Sequence, residues 1–416
     1  MIFNELTKRF DTKPATGYYR VFQRPFWGVS YLCGLWKLRV CDCITPKFNT
    51  LMFCIKGQKG TSLKGMILAA GYGQRLRPLT YTSPKALFPI CCQPLLEWTL
   101  RYFSRHQIRE VVINLHYLAS LTQQNLSRNL DWDSKIHWSY EPELLGTAGG
   151  VKKAEAFLKE ETFILINSDI LIDLDLDAVI DFHRARQSLV TLVLRKDPEA
   201  ERYGSVGGDA TGRIRRFLQW TIPGNQDGLI DMMFTGVHIL EPQVLELIPS
   251  DRFCGISEEL YPQLIELELP FYGYETEGYW IDIGTSQRYL QAHRDTLAGK
   301  SPLQIDLPED KTGIWLGEGV YMGKGAELRP PAALGHGCRI EKDCAIGPWV
   351  VIGNRCHIGK GTRLQDSVLW EDVHIGEGSV VETSILGTKV AFPAKTELRK
   401  KMAALVEGTL QVVDVE

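Results

Sequence analysis

Residues 64–80 read Lys64-Gly-Met-Ile-Leu-Ala-Ala-Gly-Tyr-Gly-Gln-Arg-Leu-Arg-Pro-Leu-Thr80, with Pro84-Lys85 shortly after. The apolar run Met66-Ile67-Leu68 predicts a buried strand. It enters a turn of small residues, Ala69-Ala70-Gly71-Tyr72-Gly73. Small residues let backbone N–H groups come close to a ligand and face phosphate oxygens. Arg75 and Arg77 add forked donors, and Lys85 adds a point charge. The glycines do not fit the Walker loop, which needs Gly-Lys-Ser/Thr. They do not fit Gly-x-Gly-x-x-Gly either, because Leu76 occupies the third position. The stretch predicts a triphosphate cradle at the carboxyl end of a strand.

Outward from it, strand and helix patterns alternate over residues 64–298, which predicts an α/β domain. Strands are expected at 65–69, 110–115, 136–140, 162–167 and 189–194. Helices are expected at 95–105, 119–130, 148–158, 176–187 and 286–297. Ligands in such sheets gather at the carboxyl ends of strands. Residues 299–311, with Gly, Ser and Pro near their start, read as a linker. Beyond it Leu316, Met322, Leu328, Leu334, Ile340, Ile346, Ile352, Ile358 and Leu364 recur every six residues. Four positions after each stands a small or β-branched residue, Cys338, Cys344 and Cys356 among them. A period of six fits neither a helix nor a simple strand; it fits a parallel β-helix of hexapeptide repeats. Nine hexads make about three triangular coils over 312–394. Ile375 comes eleven residues after Leu364, so a one-residue deletion is expected near Trp370 to Val373. Residues 395–416 read as a C-terminal tail.

A chain of 416 residues with 44% hydrophobic and 23% charged residues is a globular protein of two or three domains. Its net charge of -3 argues against a general nucleic-acid surface. No apolar run is long enough to span a membrane. Ten cysteines scattered through the chain suit a reducing, cytoplasmic compartment. Residues 1–63 hold ten Lys or Arg against Glu5, Asp11 and Asp42. They read as a basic extension outside the fold, and Cys33, Cys41, Cys43 and Cys54 are too irregularly spaced for a metal site.

Two further strings carry carboxylates. Asn167-Ser168-Asp169 ends the run Phe163-Ile-Leu-Ile, and Tyr279-Trp-Ile-Asp-Ile-Gly-Thr285 holds Asp282. Read alone, each aspartate is either a turn residue or a ligand for Mg²⁺ beside phosphates. Together with the full string 68–85, they resemble the signature of the sugar-1-phosphate nucleotidyltransferases, the nucleotide-sugar pyrophosphorylases. The resemblance implies a Rossmann-like nucleotidyltransferase domain followed by a left-handed β-helix. It implies transfer from a nucleoside triphosphate to a sugar 1-phosphate, with Mg²⁺ held by Asp169 and Asp282. Arg75 and Lys85 would handle the phosphates. The backbone of Leu68, Ala69, Ala70, Gly71 and Gly73, with Gly146 and Thr147, would contact the nucleotide. Glu143 to Gly150 contains Leu-Gly-Thr-Ala-Gly, which leans toward the mannose-1-phosphate guanylyltransferases and so toward GTP. Thr235 and Gly236, in Phe234-Thr-Gly-Val237, resemble the sugar-site string. A β-helix often packs against itself or another subunit, so a homo-oligomer formed through it is expected.

The chain departs from the family at one place. After Gly-x-Ile the family carries Glu-Lys-Pro, whose lysine grips the sugar phosphate, whereas Gln219-Trp220 stand here. Arg195, Lys196, Arg213 and Arg215 are candidates to replace that charge. Two other function classes are open: a non-catalytic regulatory relative, and a hexapeptide acyltransferase using His336, His357 or His374.

Overall fold

The computed structural model describes residues 63–126, 135–197, 205–221, 228–310 and 312–415. The basic segment 1–62, with its four cysteines, lies outside the described residues.

Four strands form the heart of the first domain: β1 (Lys64–Leu68), β2 (Glu110–Leu115), β3 (Lys135–Tyr140) and β4 (Phe163–Asn167). They run parallel in the order β3-β2-β1-β4. Met66 and Ile67 are fully buried, as the unbroken apolar run requires of a strand covered on both faces. Helices α1 (Leu95–Arg105), α2 (Ala119–Leu126), α3 (Gly146–Lys153), α4 (Leu176–Ala185) and α5 (Ser286–Leu297) accompany the strands. The helix expected over 148–158 begins two residues early and is interrupted at Ala154.

β5 (Ile170–Asp173), β6 (Val190–Arg195), β7 (Ser205–Gly208), β8 (Ile214–Phe217), β9 (Trp220–Thr221), β10 (Ile230–Leu240), β11 (Phe271–Glu275) and β12 (Tyr279–Asp282) follow. β10 lies antiparallel to β4 and extends the sheet to ten strands. β5 and β12 form a separate antiparallel pair in which Asp282 faces Ile170. That pairing brings the two predicted carboxylate strings side by side.

Three parallel sheets build the left-handed β-helix. On one face Leu328, Ile346, Leu364, Val381 and Leu398 stack in register. On another Ile340, Ile358, Ile375 and Phe392 do so. The thiols of Cys338, Cys344 and Cys356 are buried and donate to the carbonyls of Gly353, Gly359 and Trp370 at 3.0, 3.1 and 3.0 Å. They act as small core residues.

The deletion lies one corner earlier than the hexads suggest, between Leu364 and Leu369. It recurs between Val381 and Leu386 and between Leu398 and Ala403, so later coils stack at a shorter interval. A serine ladder closes this tight corner. The Ser367 hydroxyl donates to Gln365 O at 2.7 Å and accepts from Ser384 N at 3.1 Å. The Ser384 hydroxyl repeats this with Glu382 O at 2.8 Å and Lys401 N at 3.1 Å. The repeat continues past residue 394 through Glu397–Arg399 and Lys401–Val406, and Thr409–Asp414 folds back on the latter.

The β-helix packs on the first domain through α5. Trp370 is 4% exposed and sits edge-on to Phe88 at 4.8 Å. Its indole N–H donates to the Tyr289 hydroxyl at 3.0 Å. Arg294 grips Asp366 with two bonds, at 2.7 and 2.6 Å. This contact holds the helix whose first turn follows Asp282.

Two histidines of the first domain are buried without charge. Burial lowers the pKa of His238 on β10 and of His293 on α5 to about 3. Unfolded imidazole titrates near 6.5, so the stability these rings contribute is complete above that pH and drains away as pH falls toward about 3. Each steepens the loss by up to about 1.4 kcal/mol per pH unit. Urea unfolding across this range should show the slope, and His293→Gln should make it shallower.

Candidate active site

A cleft of about 690 Å³ opens at the carboxyl ends of β1, β2 and β4. Ten sequence-predicted residues line it: Leu68, Ala69, Ala70, Gly71, Gly73, Arg75, Lys85, Gly146, Thr147 and Asp169.

The turn after β1 is fixed by buried polar groups. Ala69 N donates to Asn114 Oδ1 at 2.8 Å, and Asn114 Nδ2 donates to Glu141 Oε1 at 2.7 Å. Glu141 Oε2 accepts from Leu145 N at 3.0 Å, just before α3. Asn114 and Glu141 are 2% and 0% exposed, so this chain of bonds is an interior truss between the turn after β1 and the start of α3. Both residues escape the sequence reading. Their one signal is a polar side chain at the end of an apolar strand, at Asn114 in Val111-Val-Ile-Asn-Leu.

The start of α3 is pinned by the segment around Cys254. Ala148 N and Gly149 N donate to Cys254 O at 2.9 and 3.1 Å, and Cys254 N donates to Leu145 O at 2.8 Å. The Thr147 hydroxyl accepts from Ile256 N at 2.8 Å. Phe253, Gly255 and Glu258 thus join the lining from a segment that no motif marked. Gly146 has φ of +75°, and an added Cβ would stand 2.6 Å from Cys254 O. Gly146→Ala should cost about 2 kcal/mol or more and raise the KM for nucleotide as the start of α3 shifts. Urea unfolding and a KM measurement check both.

Lys85 Nζ donates to Asp169 Oδ2 at 2.6 Å, in a partly buried pair. Asp282 does not line the cleft, but it borders it. Its Oδ2 accepts from Gly284 N at 3.0 Å, and Gly284 lines the cleft. Its Oδ1 pairs with Arg288 Nη1 at 2.6 Å. An added Cβ on Gly284 would lie 2.5 Å from Asp282 Oδ2 and 2.8 Å from Arg75 Nη2, so the two charged groups converge on this glycine. Ile283 N donates to Asp169 O at 2.8 Å and joins the two aspartate strings directly.

Two carboxylates on adjoining strand ends suit Mg²⁺, which takes one or two protein carboxylates and fills its shell with phosphates and water. Among the described residues no group of three or more His, Cys, Asp or Glu side chains is set to hold a metal.

Thr235 and Gly236 lie behind the cleft rather than on its surface. Thr235 is 1% exposed, and its hydroxyl donates to Val193 O at 2.8 Å. An added Cβ on Gly236 would meet Asn167 Nδ2 at 2.8 Å, and Asn167 is a lining residue. The three β-helix histidines have local partners: His336 Nδ1 accepts from Glu318 N at 3.0 Å, and His357 contacts His374 at 3.0 Å and Glu341 at 3.3 Å.

Residues 64–299 match the Nucleotidyl transferase family, and residues 311–410 match the EIF2B subunit epsilon LbH domain. A UTP–glucose-1-phosphate uridylyltransferase of Synechocystis is 31% identical over 341 residues, covering 78% of this chain and 87% of its own. A mannose-1-phosphate guanyltransferase of Candida albicans is 31% identical over 347 residues, covering 80% and 89%. A mannose-1-phosphate guanylyltransferase of Mycobacterium tuberculosis is 29% identical over 326 residues, covering 76% and 82%. Among the described residues no helix is long and apolar enough to cross a membrane. With its phosphate turn, paired aspartate strings and hexapeptide coils, the chain belongs to the nucleotidyl transferase family, in the form that carries a C-terminal left-handed β-helix.

Proposed function

We propose that the chain transfers a nucleoside monophosphate from a nucleoside triphosphate to a sugar 1-phosphate and releases pyrophosphate. GTP and mannose 1-phosphate are the preferred pair. One observation carries this reading: a single cleft gathers the small-residue turn, Arg75, Lys85, Asp169 and the Gly146-Thr147 wall. The reactants are both anions, so the site's task is positioning and charge neutralisation rather than covalent chemistry.

Arg75 holds the departing pyrophosphate. Lys85 contacts the phosphates at the reacting centre and is itself aimed by Asp169. The backbone of Leu68 to Gly71 and of Gly146 faces the nucleoside. Asp169 and Asp282 would hold Mg²⁺, which when bound supplies positive charge beside the reacting phosphates. The sugar phosphate attacks the α-phosphorus in line as the pyrophosphate oxygen leaves.

UTP with glucose 1-phosphate is the second reading, favoured by the likeness to the Synechocystis uridylyltransferase. Pyrophosphate release from a grid of nucleoside triphosphates and sugar 1-phosphates, with Mg²⁺ present, separates the two. The expected maximum is at GTP with mannose 1-phosphate. No release in any combination would move the chain to the non-catalytic, regulatory class, toward which the likeness of its β-helix to the EIF2B epsilon domain leans.

A further inference from the structure

The histidines of the β-helix do not line the cleft, and two of them form a pair. His357 begins the short strand His357–Ile358, and His374 begins His374–Ile375 one coil later. The strands run parallel, with His357 opposite His374 and Ile358 opposite Ile375. Both isoleucines are fully buried, so the alternation of a strand turns both imidazoles outward on one face. Their Nδ1 atoms stand 3.0 Å apart, with ring centres 4.6 Å apart.

The pair is oriented from one side. His357 Nε2 donates to Glu341 Oε1 at 3.3 Å, because a carboxylate only accepts. Arg339 Nε donates to the same oxygen at 2.6 Å and holds the carboxylate in place. With its proton on Nε2, His357 turns the lone pair of Nδ1 toward His374. A ring whose outer N–H is held by a carboxylate is the arrangement that fixes a metal-ligating histidine and raises its basicity. Arg339 is the neighbour of His357 in the preceding coil. Its charge is met by Glu341, and its guanidinium lies over the Tyr321 ring at 4.6 Å. On the other side Ala391 stands opposite His374, and its small side chain leaves that flank open to water.

The spacing selects a metal geometry. Two nitrogens about 2.1 Å from one ion are about 3.0 Å apart at a right angle and about 3.4 Å apart at the tetrahedral angle. The observed 3.0 Å matches ligands at a right angle. Tetragonal Ni²⁺ or Cu²⁺ offers that angle, whereas four-coordinate Zn²⁺ does not. Imidazole suits these ions, while Mg²⁺ prefers oxygen. Histidine χ2 is a broad torsion, so small ring rotations bring both lone pairs onto one ion. The hydrogen bond between the rings needs a proton on His374 Nδ1. An ion takes its place once that proton shifts to Nε2 of the same ring, a change of tautomer that leaves the charge unaltered.

We propose that His357 and His374 form a surface site for a divalent transition-metal ion of the Ni²⁺ or Cu²⁺ type, which clips one coil of the β-helix to the next. The site is separate from the cleft and does not depend on the transfer assignment.

The test uses the whole chain without an affinity tag, and the variants H357Q, H374Q, E341Q and H336Q. NiCl₂ is titrated by calorimetry into each protein, with ZnCl₂ and MgCl₂ titrated into the wild type. Ni²⁺ is the probe because, unlike Cu²⁺, it does not oxidise thiols. The wild type should bind one Ni²⁺ that both H357Q and H374Q weaken about 10-fold or more, at least the loss seen when an outer-shell partner is removed. E341Q should weaken it less than either. H336Q should leave it within about 2-fold, because His336 accepts from Glu318 N and is not part of the pair. Zn²⁺ should bind this pair more weakly than Ni²⁺, and Mg²⁺ should not bind it. Ions held elsewhere on the chain appear equally in every variant and cancel. Circular dichroism checks that these surface changes leave the fold intact. An isotherm that is the same in the wild type and both pair variants would overturn the site, as would a loss confined to one of the two.

Discussion

Asp169→Asn should lower turnover by about 10²- to 10⁴-fold while leaving the fold intact, the scale expected when a charge that organises a transferring phosphoryl group is removed. The side chain sits just past the end of β4, where the ordered strand presents it to the cleft. It is 30% exposed and binds Lys85 Nζ at 2.6 Å. Asparagine keeps the volume and one oxygen, so Lys85 keeps an acceptor but loses its counter-charge. The proposed Mg²⁺ loses one of its two protein carboxylates. A partly exposed pair contributes little to stability, so the melting temperature should move by no more than about 3 °C. Pyrophosphate release and a thermal scan on the same preparation check both statements. Near-normal turnover would remove Asp169 from the site. Arg75→Ala should show a comparable loss, because the departing pyrophosphate would lack its main protein cation.

Trp370→Ala should destabilise the protein by about 3–5 kcal/mol, the usual cost of truncating a buried tryptophan. The indole fills the contact between the β-helix and the first domain, against Phe88 and the Tyr289 hydroxyl. Removing it leaves a cavity at the junction and takes one donor from the Tyr289 hydroxyl, which keeps its bond to Pro89 O. Trp370→Phe keeps most of the apolar volume and loses the N–H bond, so it should cost about 1 kcal/mol. The effect should reach the site as well. Tyr289 lies in α5, and Thr285, whose hydroxyl accepts from Arg288 N at 3.3 Å, caps that helix three residues after Asp282. A loosened α5 lets Asp282 drift, so Trp370→Ala should also lower turnover. Urea unfolding monitored by circular dichroism measures the first effect. A shift below about 1 kcal/mol would mean that the two parts do not depend on this contact.

The turn after β1 was legible because a turn that lets a ligand approach the backbone closely needs small residues in a short run, and a short run survives in linear sequence. The coils were legible because each hexad repeats one physical task. The corner was misplaced by a few residues because the count between Leu364 and Ile375 records that a residue is missing without recording where. The strand register and the serine bonds at Ser367 and Ser384 show which corner is tight.

The truss of Asn114 and Glu141 was invisible because its members are 27 residues apart and meet through tertiary packing alone. Phe253 and Glu258 were hidden for the same reason: the segment enters the site by docking on Leu145 and Thr147. Thr235 carried a recognisable string, yet its hydroxyl turns inward to Val193 O. A motif specifies residue types, whereas the direction of a side chain depends on the neighbouring strand. Arg288 illustrates the converse. As an arginine in the first turn of a helix it has no sequence signature, and it becomes informative only beside Asp282, with which it pairs.

The most direct measurement is the stoichiometry of pyrophosphate release by the wild-type chain supplied with Mg²⁺, GTP and mannose 1-phosphate, followed by ³¹P NMR. One pyrophosphate should appear for each nucleotide-sugar formed, and none should form when the sugar phosphate is withheld. Absence of pyrophosphate with every triphosphate and sugar phosphate tried, or release that does not depend on the sugar phosphate, would contradict nucleotidyl transfer at this cleft.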